Sequence, residues 1–309
     1  MPFPAPQPFE IVPVTLDQRQ RALELLLTDW NGEDRRRQMA EFAKMPADSP
    51  SWETLLAAYC GTRMIGAAWG QIQAGHVAGI WLPRIAPGAP AATALALLQA
   101  VCRQLPAKNV QLVQSLLCED QVAEGRLLRQ SGFVRLATLE YLFSGEGDFP
   151  TARPSGALEF VPYGPATHAR LAAVMEATYQ QTLDCPQLNG LRTIDDVLAG
   201  YRASGVFDPR LWLVVQHEQD DVGCLLLTDY PDYGQRELGY MGLRPEIRGR
   251  GWGIQVVRYA QWLCRQAGRG RLVLAVDASN GPARRMYQAV GFRIWQRRVA
   301  YLNILSRRS

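Results

Sequence analysis

Histidine, lysine and paired cysteine are scarce in this chain. It has three histidines, and only two of its 33 basic residues are lysines. So few histidines argue against a histidine-based metal centre or catalytic triad. The six cysteines are scattered without a CxxC pair, which predicts reduced thiols and argues against a disulfide framework or a zinc site. We therefore predict that this protein holds no metal.

Long apolar runs and a strong charge are absent as well. No stretch approaches the ~18 apolar residues of a membrane span. The opening MPFPAPQPFE has neither a basic nor an apolar segment, so no signal peptide is predicted. A net charge of +4 over 309 residues does not promise the broad basic face that nucleic-acid binding requires. These absences predict a cytoplasmic protein without a membrane partner and argue against a nucleic-acid partner.

What the chain does contain is an internal repeat. FEIVPVTLDQRQRALELLL near its start and LEFVPYGPATHARLAAVME from Leu158 each predict a strand, a capped turn and an amphipathic helix. LLRQSGFVRLATLEYLF and MYQAVGFRIWQRRVAYL each predict a helix, Gly-Phe and two short strands. GEGDFPTARPSG is typical of a linker. We therefore predict two domains, 1–150 and 151–309, each an α/β fold with a mixed sheet and helices on both faces.

A glycine-rich loop in the second half indicates an anion site. In LRPEIRGRGWGIQVVRYA, which starts at Leu243, a strand is followed by a turn that opens directly into a helix. The first N–H groups of a helix lack intrahelical acceptors, and the helix dipole adds positive potential there. Glycines leave this backbone open to a phosphate, and arginines add charge. The residues predicted to form the site are Arg248, Gly249, Arg250, Gly251 and Gly253.

Other interpretations of the loop fit less well. A P-loop requires GxxxxGK[ST], and this stretch contains no lysine. A dinucleotide fold requires GxGxxG directly after the first strand of a βαβ unit, whereas this GxGxG follows several strands. A glycine-rich turn that binds nothing stays open as an alternative.

The loop and the segment that follows it resemble the GNAT acetyltransferase superfamily. The resemblance rests on RxxGxG from Arg248, on the preceding GLRPE, and on NGPARRMYQAVGF from Asn280. It implies that the loop amides hold the pyrophosphate of acetyl-CoA. It also implies that the strand before the loop splays open and offers backbone from Met241, Gly242 and Leu243 to acetyl-CoA. Asn280 would cap its helix and touch the pantetheine arm. The tandem layout is similar to that of the mycothiol synthase group.

Two side chains are the candidates for proton transfer. Glu237 begins the strand before the loop, and alternation predicts that it shares a face with Gly239, Met241 and Leu243. A carboxylate there could accept the proton of an amine, with Asp229 and Asp232 as rivals. The family resemblance implies that Tyr287 is the general acid that protonates the departing CoA. A core tyrosine would show the same helical spacing.

The first half lacks these residues. Alignment on Gly-Phe places Leu128 opposite Tyr287 and Gln121 opposite Asn280. LPRIAPGAP stands where the second half has its loop, and its prolines remove N–H donors. We therefore predict a degenerate N-terminal domain, kept for shape, substrate framing or a homodimer contact.

The predicted activity is transfer of an acetyl group from acetyl-CoA to an amine by direct attack. The acceptor would be a small molecule or a peptide, framed by the segment from Thr178 to Thr193. A non-catalytic acyl-CoA-binding or sensor protein is the alternative of another class.

Overall fold

The computed structural model describes residues 8–305, which divide into two compact units. Unit 1 takes the chain up to residue 135 and again from residue 300, and unit 2 takes residues 136–299. Residues 1–7 and 306–309 lie outside the described part. Most of the opening MPFPAPQPFE and the outer ends of both predicted domains therefore lie outside the described residues.

Unit 1 contains a five-stranded mixed sheet with helices, and it also includes the residues from 300 onward. Its strands lie in the order β1-β2-β3-β4-β5, antiparallel except for the parallel pair β4 and β5. The elements are β1 (Glu10–Pro13), α1 (Arg19–Leu26), α2 (Gly32–Ala43), β2 (Leu55–Cys60), β3 (Arg63–Gln73), β4 (Val77–Ile85), α3 (Ala92–Gln104), β5 (Leu112–Leu117) and α4 (Val122–Gln130).

Unit 2 repeats this plan. Its strands follow the order β6-β11-β10-β9-β8-β7, again with one parallel pair, β10 and β11. The elements are β6 (Val134–Gly145), β7 (Leu158–Pro162), α5 (His168–Tyr179), α6 (Ile194–Arg202), β8 (Trp212–His217), β9 (Asp220–Tyr230), β10 (Gln235–Leu243), α7 (Trp252–Gln266), β11 (Arg271–Asp277), α8 (Gly281–Ala289) and β12 (Arg293–Ile304). The first two residues of β6 and the last five of β12 belong to unit 1.

Two apolar clusters cover the two faces of the unit 2 sheet. Leu225, Leu227 and Leu238 point to one face and pack with the buried residues of α7, such as Val256 and Val257. The intervening residues of the same strands point to the opposite face and pack with α5 and α6. Strand alternation combined with helical spacing therefore produces a three-layer unit with helices on both sides.

The predicted fold class is confirmed, and three details differ. β6 and β12 are each one continuous twelve-residue strand, where two short strands were predicted. The helix α2 was not predicted, because its sequence GEDRRRQMAEFA is polar and only Phe42 in it is buried. The compact units also divide at residue 135, whereas the predicted boundary lies at residue 150. The reason is that β6 pairs with β11 over seven consecutive positions of unit 2.

Candidate active site

A β-bulge in β10 decides which of its side chains share a face. Leu238 pairs with Leu227 and Tyr240 pairs with Leu226, so Gly239 is an extra residue without a partner in β9. A Cβ atom at Gly239 would lie 3.3 Å from the ring of Tyr201 in α6. Glycine thus allows both the bulge and the close approach of this ring.

The bulge corrects the predicted face of Glu237. Simple alternation put Glu237 together with Met241 and Leu243. Because the bulge adds one residue, Glu237 instead shares a face with Tyr240 and Gly242. Tyr240 packs with α5 and α6, whereas Met241 and Leu243 pack with the cluster of α7 and α8. Glu237 therefore faces the two helices that precede β8.

Next to Glu237 the sheet opens. The parallel register of β10 and β11 covers only Gln235–Glu237 against Arg271–Val273, after which each strand follows its other neighbour. The N–H of Arg244 donates to Val222 O in β9. Alternation along the strand then turns the N–H groups of Leu243 and Met241 to the opposite edge, toward the gap. The strands therefore separate beside Met241 and Leu243, while the N–H of Gly242 faces β9, and contact of these residues with acetyl-CoA stays a prediction.

Beyond the gap lies the glycine loop at the start of α7. Gly249 and Gly251 have φ of +82° and +79°, which side chains other than glycine rarely adopt, and a Cβ at either would meet only open space. Within residues 8–305, the N–H groups of Gly251, Trp252 and Gly253 have no hydrogen-bond acceptor. The loop thus presents unpaired donors on an accessible surface, which fits a pyrophosphate group.

The side chain of Arg248 is turned away from that surface. Its Nε donates to Leu243 O at 2.9 Å, and its two other nitrogens donate to three carbonyls just after or at the end of α5. These carbonyls belong to Thr178, Gln180 and Gln181. Arg248 therefore ties the end of α5 to the end of β10, and its guanidinium is engaged by protein carbonyls. Arg250 instead lies over the ring of Trp252, with its Cζ 5.5 Å from the ring centre.

Two predicted glycines of the site are packing positions. A Cβ at Gly253 would come within 2.5 Å of the sulfur of Met286, so this glycine lets α7 and α8 approach each other. A Cβ at Gly242 would lie 2.6 Å from Cβ of Thr178 and 2.9 Å from the hydroxyl of Tyr240. Close approach at Gly242 was predicted, and the group that approaches in this structure is Thr178 of α5.

Glu237 lies among tyrosines. Burial raises the pKa of its carboxyl, and a hydrogen bond from Tyr230 opposes this by stabilising the ionised form. Burial also raises the pKa of Tyr201, whose environment includes the charges of Asp184 and Glu237. Sequence reasoning missed Tyr201 and Tyr230. Tyr230 could have been found from the sequence, because the short turn after β9 pairs Tyr230 with Gln235, two residues before Glu237 on the same strand.

The two rival carboxylates have different surroundings. Asp229 accepts paired hydrogen bonds from Arg269 and a further one from Arg236, and these bonds lower the pKa of its carboxyl. A carboxylate that is held ionised by two arginines is a poor proton acceptor. Asp232 is exposed in the turn between β9 and β10. Glu237 is the member of the three whose surroundings favour proton uptake.

Tyr287 lies in the buried cluster of α7 and α8. Its ring contacts Phe292 at a centroid distance of 5.5 Å, and its hydroxyl has no hydrogen-bond partner within residues 8–305. Burial raises the pKa of this hydroxyl, and the charge of Asp184 raises it further. The phenol therefore stays protonated at neutral pH. Asn280 caps α8 through a bond from the N–H of Ala283 to its side-chain oxygen, as predicted.

One contact near Tyr287 was invisible in the sequence. The carboxylate of Asp184, in the segment after α5, accepts a hydrogen bond from the N–H of Asp277 at the end of β11. In return, the carboxylate of Asp277 accepts from the N–H of Cys185. These reciprocal bonds fix the segment from Thr178 to Thr193 beside the gap. No local pattern connects residues more than ninety positions apart.

These features agree with the comparison to known families. The model of the acetyltransferase (GNAT) family matches residues 176–292, which include β10, the glycine loop and α8. Residues 176–292 are therefore similar to the GNAT acetyltransferase family. The uncharacterized N-acetyltransferase YycN of Bacillus subtilis is 33% identical over 84 residues, which cover 26% of this chain and 54% of YycN. The match thus spans about half of that relative.

Solved structures extend the fold likeness to the whole chain. A GCN5-related N-acetyltransferase from Sphaerobacter thermophilus matches 96% of this chain and 95% of its own, with 17% identity and a TM-score of 0.64. A tandem GNAT protein from the clavulanic acid biosynthesis pathway matches 96% and 98%, with 13% identity and a TM-score of 0.53. A glucosamine N-acetyltransferase region of a fungal multi-domain enzyme matches 96% of this chain and 38% of its own, with 14% identity and a TM-score of 0.66. At these identities the likeness concerns the fold.

The part of unit 1 that corresponds to this candidate site differs from it. Leu128, opposite Tyr287, is fully buried, and α3 begins after Ala91, which provides no side-chain cap. Gly88 is the residue of the APGAP turn with positive φ. The family match lies in the other half of the chain. Among residues 8–305, no helix is long and apolar enough to cross a membrane, and no group of three or more potential ligands could hold a metal ion.

Proposed function

We propose that this chain is an N-acetyltransferase that moves the acetyl group of acetyl-CoA to an amine in unit 2. The observation that carries the proposal is the gap between β10 and β11 beside a loop of unpaired N–H groups. The loop would hold the pyrophosphate, with Gly249 and Gly251 leaving room for it. The N–H groups of Met241 and Leu243 would bind the acetyl-pantetheine arm in the gap.

The two candidate proton-transfer groups approach the gap from opposite faces of the sheet. Glu237 faces α5 and α6, and Tyr287 belongs to the cluster of α7 and α8. In the reaction, the amine nitrogen bonds to the thioester carbon and the C–S bond breaks. Glu237 takes the proton of the amine, and Tyr287 gives its proton to the sulfur of CoA. The raised pKa of the Glu237 carboxyl suits a general base, and the raised pKa of the Tyr287 phenol keeps it protonated before the transfer.

The acceptor would enter from the side of α5 and α6. The segment from Thr178 to Thr193 lies there, and the bonds between Asp184 and Asp277 hold it near the end of β11. Small amines and peptide amines both stay possible within this proposal. The likeness to the mycothiol synthase group and a cytoplasmic location also stay proposals.

Calorimetric titration of acetyl-CoA into the whole chain tests the binding step. We expect one site per chain, and we expect Gly251→Glu to abolish it, because a side chain there is strained and carries negative charge into the anion site. Two sites would contradict the degenerate first half. No binding would remove the proposed activity.

An amine screen followed by Tyr287→Phe tests catalysis. The variant should lose about 10²-fold or more in kcat while its affinity for acetyl-CoA is unchanged, since the hydroxyl acts only on the leaving sulfur. If acetyl-CoA binds but no amine is acetylated, the chain is a non-catalytic acyl-CoA-binding or sensor protein.

A further inference from the structure

Unit 1 contains an arginine-lined cleft for which the proposed acetyl transfer has no use. Its volume is about 350 Å³, and Arg21 of α1, Arg35 of α2 and Arg63 of β3 line it. Within residues 8–305, none of these three guanidinium groups forms a hydrogen bond or an ion pair. Three unpaired positive charges around one concave surface repel each other, and the cleft concentrates their potential.

Acidic groups do not balance this charge. The one carboxylate that lines the cleft belongs to Glu24. Its Oε1 already accepts a hydrogen bond from Gln20 Nε2 at 3.0 Å. The remaining lining residues are uncharged, so the cleft carries a net positive charge.

The strand pairing in the two units shows which residues of unit 2 correspond to the residues that line the cleft of unit 1. In unit 1, Tyr59 pairs with Glu10 on one side and with Met64 on the other. In unit 2, Gln216 pairs with Glu159 and with Asp221 in the same way. Met64 thus occupies the position of Asp221. One step along the hairpin, Arg63 occupies the position of Asp220 by the same correspondence.

Arg21 has a counterpart that is paired. Arg21 follows Glu10 by the same number of residues as Arg170 follows Glu159. Arg170 holds Asp221 through two hydrogen bonds, of 3.0 and 2.6 Å. In unit 1 the carboxylate is replaced by Met64, so the equivalent arginine has lost its partner. At the two positions where unit 2 has Asp221 and Asp220, unit 1 has Met64 and Arg63.

A third difference between the units, a small residue in place of a large one, leaves space for the cleft. The N–H of Ala86 donates to Ile65 O at 2.8 Å, and the N–H of Arg244 donates to Val222 O at 2.9 Å at the equivalent point of unit 2. Ala86 lines the cleft, where unit 2 carries the long side chain of Arg244, which pairs with Glu246. Unit 1 therefore has space where unit 2 has an ion-paired surface.

We propose that this cleft of unit 1 binds a small anionic molecule with phosphate or carboxylate groups. Such a ligand supplies the negative charge that Asp221 supplies in unit 2, and arginine binds both groups through paired hydrogen bonds. The first half would then be a binding domain for an anion, independent of the acetyl-CoA site of unit 2.

Titration calorimetry with pyrophosphate and with citrate tests the proposal. The whole chain carries Gly251→Glu in these titrations, so that the loop of unit 2 no longer binds an anion and no phosphate-bearing CoA competes for the cleft. Arg21→Gln and Arg63→Gln should each weaken binding about tenfold or more, as expected for the loss of a charged hydrogen bond. Arg36→Gln is the matched control, because Arg36 is an exposed arginine of α2 that does not line the cleft.

A repeat-swapped variant gives a second readout. Met64→Asp restores to Arg21 the partner that Arg170 has in unit 2, so anion binding should be lost while the protein stays folded. The Gln variants decide the question if this variant fails to fold. Tighter binding of pyrophosphate or of citrate identifies the preferred group. Absence of binding by both probes at millimolar concentration, or equal losses in Arg36→Gln, would overturn the proposal.

Discussion

At the scale of single residues, Glu237 is defined by what surrounds it. Its carboxyl is half-buried beside Tyr230 and Tyr201, and burial raises its pKa above the ordinary range near 4.3. A base acts only when it is deprotonated. Activity should therefore fall as the pH decreases through this raised pKa.

The pH dependence of kcat/KM tests this role of Glu237. The wild type should show an acid limb above the ordinary range of glutamate, and Glu237→Gln should lose both the limb and about 10²–10⁴-fold of the rate. Asp232→Asn is the control, since Asp232 is an exposed rival and should leave the profile unchanged. An unchanged acid limb in Glu237→Gln would exclude Glu237 as the base.

A second prediction at this scale concerns the contribution of Gly242 to the stability of the fold. A Cβ at this position would meet Cβ of Thr178, which cannot swing away because Thr178 is buried and its hydroxyl bonds both Met175 O and Tyr240. Gly242→Ala should lower the free energy of unfolding by about 1–3 kcal/mol.

Urea unfolding measures the effect of Gly242→Ala. Gly147→Ala is the control, because a Cβ at Gly147 meets nothing within 4 Å and its φ is not in the left-handed region. Its stability should stay within about 0.5 kcal/mol of the wild type. Equal stability of the two variants would show that β10 and α5 can separate without cost.

At the scale of elements, Arg248 connects two of them. Its guanidinium donates to the carbonyl at the end of β10 and to three carbonyls at the end of α5, which have no intrahelical donors. The arginine of the RxxGxG pattern therefore stabilises the frame of the site, and the N–H groups of the following loop stay available to a ligand.

Arg248→Ala should destabilise unit 2 by about 1–3 kcal/mol, because several carbonyls lose a charged donor. Hydrogen exchange should increase in the residues around Thr178 to Gln181. Arg250→Ala is the matched control, since Arg250 lies over Trp252 and should change exchange little in that segment. If Arg248→Ala weakened acetyl-CoA binding with unchanged stability and exchange, its side chain would contact the ligand.

At the scale of the whole molecule, unit 2 depends on a strand that precedes the predicted linker. Glu140 of β6 is 1% exposed and pairs with Arg284 of α8 and Arg297 of β12, whose side chains are 30% and 48% exposed. Leu142 and Phe149 belong to the same apolar cluster as α7. Gln261 of α7 also donates to Ser144 Oγ.

A pair of fragments tests this dependence. Residues 136–299 should unfold cooperatively, whereas residues 151–299 should aggregate. The shorter fragment exposes the edge of β11 and leaves Arg284 and Arg297 without Glu140. Circular dichroism melts and size-exclusion chromatography compare the two. Equal behaviour of both fragments would support a boundary at residue 150.

The sequence alone was sufficient for the local features. The repeated strand-turn-helix pattern, the positions of α5, α7 and α8, and the gap next to Met241 and Leu243 follow from periodicity, glycine placement and the GNAT pattern, because each depends on neighbouring residues. The long strands β6 and β12 were predicted in pieces, since periodicity does not show whether a strand bends.

Tertiary structure decided what depends on distant partners. The bulge at Gly239 moved Glu237 to the face of α5 and α6. The side chain of Arg248 donates hydrogen bonds to carbonyls at the end of α5. The pairing of β6 with β11 places the boundary of unit 2 before the paired residues of β6. The cleft of unit 1 became visible only when sheet register aligned Met64 with Asp221. Registers and long-range hydrogen bonds join residues far apart in the chain, and no local pattern encodes such pairings.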